Sequence, residues 1–148
     1  MTWKKLLAEH RVYAHRTSRK ELDALRALIQ RDLADANIKG LSDDRRFATA
    51  YNAVLQIAKM AIACAGYRLA STAGHHRLTF DVARVALGSS STRLLDFFES
   101  CRRKRNAIDY DHASVATKTE ADEILDEAKA FLEFVEKWIA TVHPKFAA

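Results

Sequence analysis

Residues 47–69 read FATAYNAVLQIAKMAIACAGYRL, and their spacing decides the fold. Phe47, Tyr51, Val54, Leu55, Ala58, Ile62, Ala65 and Leu69 recur at intervals that fit the α-helical period. From Ala58 to Gly66 nearly every residue is small or apolar. A helix that is apolar almost all round is enclosed by others, so this stretch is expected to form the central helix of a bundle. Its alanines let neighbouring helices approach closely. Upstream, Ser42-Asp43-Asp44 supplies a start signal: a cap residue, then two carboxylates where the helix dipole favours negative charge.

The flanking segments have one-sided stripes. Trp3, Leu6, Leu7, Val12 and Tyr13 suggest a short first helix running to about Arg16. Ser18-Arg19-Lys20-Glu21 has the form of a capping box, and Leu22, Leu25, Leu28, Ile29 and Leu33 continue it as a surface helix over residues 17–37. Leu78 to Leu87 reads as a short helix ended by Gly88. Ser89-Ser90-Ser91-Thr92 caps another long helix carrying Leu94, Leu95, Phe97, Phe98, Cys101 and Ile108. A second capping box, Thr117-Lys118-Thr119-Glu120, opens a final helix with Ile124, Leu125, Ala128, Phe131, Val135, Trp138 and Ile139. His143-Pro144 closes it, because the residue before proline is pushed out of the helical region. The expected fold is all-α: an antiparallel up-down bundle of about four long helices with one or two short ones.

Composition agrees. In 148 residues there are 4 glycines and 1 proline, too few to punctuate a many-stranded β fold. The length suits a single domain over 1–148, and 49% hydrophobic with 29% charged residues fits a folded chain rather than a disordered one. Cys64 and Cys101 lie inside helical patterns with no CxxC spacing and are expected to be reduced and packed. No run approaches the ~18 apolar residues of a membrane span, and residues 1–10 lack a signal-peptide pattern. A cytoplasmic protein with no membrane partner is expected. The net charge of +5 suits a polyanionic partner without requiring one.

The chemistry concentrates at the end of the fifth helical segment, in Ser100-Cys101-Arg102-Arg103-Lys104-Arg105-Asn106-Ala107-Ile108-Asp109-Tyr110-Asp111-His112. If the helix continues that far, Arg105 and His112 are seven residues and roughly 700° apart, so both face the same way. Arg102 and Asp109 flank Arg105 on that side, whereas Tyr110 serves an adjacent face. Two readings follow. Basic residues near a helix C-terminus complement its dipole, and Arg105 with Asp109 makes an ordinary ion pair on a solvated helix end. Alternatively, the arginine is a fixed planar cation for phosphate oxygens and the histidine a proton carrier near neutrality, a set suited to RNA cleavage without metal. One histidine is fewer than the two proton transfers require, and a two-fold dimer would supply a second copy. The His75-His76 pair invites a metal reading, but adjacent histidines without a spaced Cys or carboxylate partner favour a solvated or substrate-facing loop. Neither metal nor cofactor is expected.

Arg105-Asn106 followed by Tyr110-Asp111-His112, near the end of a long helix in a helical bundle, resembles the HEPN-domain family (higher eukaryotes and prokaryotes nucleotide-binding). Gly66-Tyr67-Arg68, Gly74-His75-His76-Arg77 and residues 102–111 resemble its bacterial toxin-like branch. The resemblance implies a metal-independent endoribonuclease, acting as a homodimer whose two motifs form one composite site. On that basis Arg105 holds phosphate, Asn106 orients it, and His112 is the acid–base group. Arg102, Arg103, Lys104, Asp109 and Tyr110 line the substrate. Tyr110 stands where the tighter form of the motif has its histidine, with His112 two positions later. The resemblance therefore also admits a non-catalytic module that binds a nucleotide or a minimal nucleotidyltransferase antitoxin, for which Tyr110 is a modification candidate.

Overall fold

The computed structural model describes residues 1–71, 75–109 and 114–148, and the backbone alone of His75 and Asp109. Its helices are α1 (Trp3–Ala8), α2 (Arg19–Ala36), α3 (Asp43–Cys64), α4 (His75–Leu87), α5 (Thr92–Asp109) and α6 (Lys118–Val142). Two three-residue strands, β1 (Val12–Ala14) and β2 (Tyr67–Leu69), pair antiparallel with Val12 opposite Leu69. The all-α bundle is as expected: four long helices, with α1 and α4 shorter.

α3 is the axis. It packs against α2, α4, α5 and α6, and Ala50, Tyr51, Ala53, Val54, Ile57, Ala58, Met60 and Ala61 on it are fully buried. By length and composition α3 could cross a membrane, yet 72% of its apolar stretch is buried by the protein's own helices. Aromatic rings bind α4, α5 and α6 together beside it. Phe98 lies 5.2 Å from Phe131, 5.6 Å from Phe97 and 6.4 Å from Phe80, centre to centre.

The start signals act as their chemistry dictates. Ser42 Oγ accepts from Arg45 N–H at 3.1 Å. Thr117 makes both halves of its box, accepting from Glu120 N–H at 3.1 Å while Glu120 Oε1 accepts from Thr117 N–H at 3.0 Å. Ser18 makes only its own half, at 3.1 Å. The Glu21 carboxylate turns away to His15 Nε2 at 2.7 Å and to the Thr17 hydroxyl at 2.9 Å, which tethers β1 to α2. The His15 contact holds the Glu21 carboxyl below its ordinary range. At the other end α6 stops at His143, followed by a 3-10 turn over Pro144–Phe146.

The expected first helix to Arg16 and the helical run to Leu69 need correction, and the two corrections share a cause. α1 stops at Ala8, and His10 takes a left-handed φ of 56°. α3 stops at Cys64, and Gly66 has a φ of 99°, which glycine adopts without the Cβ penalty other residues incur. The freed segments then pair as β1 and β2, covered by Trp3 stacked on Tyr67 at 4.1 Å. Val12, Tyr13 and Tyr67 suit a pleated, half-buried surface better than a helix. α4 begins at His75, earlier than the apolar pattern indicated. His76 is consequently a helical residue rather than part of a loop.

Arg26 links α2 to α6 and to the turn after it. Its Nε and Nη2 donate to Glu136 at 2.9 and 3.0 Å, Nη1 to Asp23 at 2.8 Å, and Nη2 also to the Phe146 carbonyl at 2.6 Å. Arg26→Ala is expected to lower stability by about 2 kcal/mol, because a two-pronged charged bond at a largely buried arginine is lost. The urea midpoint should shift down with an unchanged slope; an unaltered midpoint would show the pair to be dispensable.

Candidate functional site

α5 carries the basic run into the bundle at the level of Tyr51 and Asn52. Its 18 residues are anchored by buried Leu94, Leu95, Phe98 and Cys101. The same helical phase half-buries Arg102 and Arg105 and leaves Arg103 exposed. Arg105 Nη2 donates to Asn52 Oδ1 at 3.4 Å, and its guanidinium carbon lies 5.9 Å from the centre of the Tyr51 ring. That separation is within reach of a cation–π contact. An amide oxygen and a π face thus position a half-buried cation.

Tyr51 is the floor of this arrangement. Its side chain is wholly buried, with Phe80 edge-on at 5.9 Å and His76 tilted at 5.7 Å. Its hydroxyl has no hydrogen-bond partner among the described residues. Burial pushes the phenol well above its usual range and Glu99 adds to the shift, while Arg105 and Arg102 oppose it. At neutral pH Tyr51 is therefore a protonated, uncharged surface under Arg105.

The rest of the basic run is divided among different tasks. Arg102 Nε donates to Glu99 Oε1 at 2.9 Å. Lys104 turns to α6, pairing with Glu120 at 2.8 Å and donating to the Val115 carbonyl at 3.4 Å. Arg103 has no ion-pair partner among the described residues, and Asn106 is half-buried. The segment leaving α5 is tied back by Ala116 N–H, which donates to Asp44 Oδ1 at 2.7 Å. Burial pushes the Cys101 thiol up to about 11, so this neighbour is no nucleophile at neutral pH. Tyr110 and His112 lie outside the described residues, as does the side chain of Asp109.

The structure thus brings Arg102 and Arg105 to one side of α5 and turns Lys104 to another. It adds three residues that spacing along α5 could not reveal, Tyr51 and Asn52 from α3 and His76 from α4, whereas Glu99 pairs with Arg102 at an i,i+3 spacing on α5 itself. Asn52 carried a faint signal, a polar residue in a helix otherwise read as enclosed. Tyr51 carried none, since a tyrosine at a core position reads as packing.

An antiparallel helical bundle with a positioned arginine in the last turns of a long helix defines a class of α-helical domain rather than a single activity. The family model of the HEPN domain matches residues 20–138, and the chain belongs to that family. The match spans α2 to α6 and leaves α1 and β1 outside. No curated protein and no solved structure matches the chain. Membership is compatible with nucleotide binding or with ribonuclease activity.

Proposed function

We propose that this protein is a metal-independent endoribonuclease, a single-domain cytoplasmic enzyme of toxin-like, stress or defence type, acting as a homodimer with a composite site. The observation that carries the reading is Arg105, fixed by Asn52 at 3.4 Å and backed by the Tyr51 ring at 5.9 Å. A cation preorganised in a partly buried setting stabilises the charge that develops on a phosphate under attack. Asn106, on the same turn, orients the phosphate. Arg102 and Arg103 extend the positive surface along the RNA backbone, and Lys104 supports it from the α6 side. His112 exchanges the proton, and Asp109 and Tyr110 border the substrate. The ribose 2′-OH attacks phosphorus, the bond to the 5′ oxygen breaks, and the products carry a 2′,3′-cyclic phosphate and a 5′-OH.

Purified protein incubated with RNA in EDTA is expected to produce these ends. Intact RNA after prolonged incubation would refute the reading. The sequence at Tyr110 favours a second reading, a module that binds a nucleotide or a minimal nucleotidyltransferase partner and is modified on Tyr110. It predicts saturable binding without turnover, so the same EDTA assay separates the two.

A further inference from the structure

From Ile57 to Cys64, Lys59 is the one residue of α3 that is not buried. Its ammonium makes no hydrogen bond or ion pair among the described residues. It lines a cleft of about 310 Å³ between α2, α3 and β2. The turn at Gly66, with its φ of 99°, sets β2 against the end of α3 and so builds the third wall. Leu25, Ile62 and Leu69 make much of the lining apolar. Tyr67 adds an aromatic ring to it, held by Trp3 stacked at 4.1 Å with the two planes 10° apart. Arg68 adds a second cation, exposed and 5.3 Å from the centre of the Tyr13 ring. The Glu21 carboxylate on the rim is already taken up by His15 Nε2 at 2.7 Å and the Thr17 hydroxyl at 2.9 Å. Lys59 and Arg68 are therefore left to meet an incoming charge.

We infer that this cleft binds a small, flat, apolar molecule carrying one carboxylate or phosphate group, with Lys59 holding its oxyanion. Ligand sites are apolar concavities in which a few polar groups fix orientation, and a volume at the small end of their range, about 300–1,000 Å³, suits a body of one or two fused rings. The apolar body displaces water from Leu25, Ile62 and Leu69. Its charge gains a charge-assisted bond to an ammonium partly shielded from solvent. Lys59 stands seven residues beyond Asn52, about 10 Å further along the axis of α3, which separates the cleft from the Arg105 site. Binding here is independent of RNA cleavage.

The test titrates the full chain calorimetrically with three probes of like body: 1-naphthoate, 1-naphthyl phosphate and the uncharged 1-naphthalenemethanol. At least one anion is expected to bind with one site per chain, and the alcohol about tenfold or more weakly, since a hydrogen bond to a charged group is lost. Tighter binding of the phosphate or of the carboxylate supports the inference equally and assigns the oxyanion. Lys59→Met, which keeps the length of the side chain and removes its charge, is expected to weaken anion binding about tenfold with the wild-type melt retained, and Lys59→Arg to stay within about threefold of wild type. Arg105→Ala should leave the affinity unchanged. No heat of binding for either anion up to about 1 mM would overturn the inference. So would equal affinity for the alcohol, wild-type affinity in Lys59→Met, or a loss that follows Arg105→Ala instead. None of these results bears on cleavage of RNA in EDTA, so the cleft and the endoribonuclease reading fail separately.

Discussion

Replacing Arg105 by alanine is expected to reduce RNA cleavage about 10³-fold, equivalent to about 4 kcal/mol of lost transition-state stabilisation. The size of the effect follows from how the arginine is held. Its guanidinium donates to the Asn52 amide oxygen and lies over the Tyr51 ring, so it is oriented before RNA arrives and little reorganisation is needed as charge develops. Arg105→Lys should recover only a small part, because a lysine cannot keep the planar fork that meets two phosphate oxygens at once. Arg103→Ala, which removes an exposed cation, should instead weaken binding and its salt dependence while leaving kcat nearly intact. Single-turnover cleavage with saturating enzyme separates these outcomes. Equal losses in the Arg103 and Arg105 variants would show a diffuse basic surface rather than one positioned group.

Phe98→Ala is expected to be the most destabilising of the core truncations, costing about 3–5 kcal/mol. Phe98 is wholly buried, and its ring meets Phe80 on α4, Phe131 on α6 and Phe97 on α5. Truncation leaves a cavity where three helices meet, and the aromatic contacts around it are lost with it. In a chain of this length that corresponds to a fall in melting temperature of roughly 10 °C. Phe98→Leu should cost much less, because it refills most of the volume. A melting temperature within a degree or two of wild type for the alanine variant would contradict the packing described.

These two sites were unequally legible in the primary structure. Phe98 sits in a one-sided apolar stripe with Leu94, Leu95 and Cys101, and periodicity alone assigns it to the core. Arg105 was recognisable as a candidate from its place in the basic run and its spacing to His112, but its partners were not. Asn52 and Tyr51 stand on another helix, and nothing in a local pattern says which residues of two helices meet. The same limit explains the hairpin. Val12–Ala14 and Tyr67–Leu69 are each short enough to read as helix ends, and only their pairing makes them strands. Glu21 had the right spacing to complete a capping box, yet His15 and Thr17 offered its carboxylate better-placed partners.

By itself the sequence determined the all-α class, the central place of α3, and the helix limits at Ser18, Ser42, Gly88, Thr117 and His143. All of these depend on interactions within a few residues: cap hydroxyls, a left-handed glycine, a proline and helical periodicity. Only the tertiary structure decided that Arg105 rests on Tyr51, that Lys104 is drawn to Glu120, and that His76 reaches the same aromatic plate from α4. Those are contacts between helices, set by how their faces pack, and packing depends on the whole chain at once.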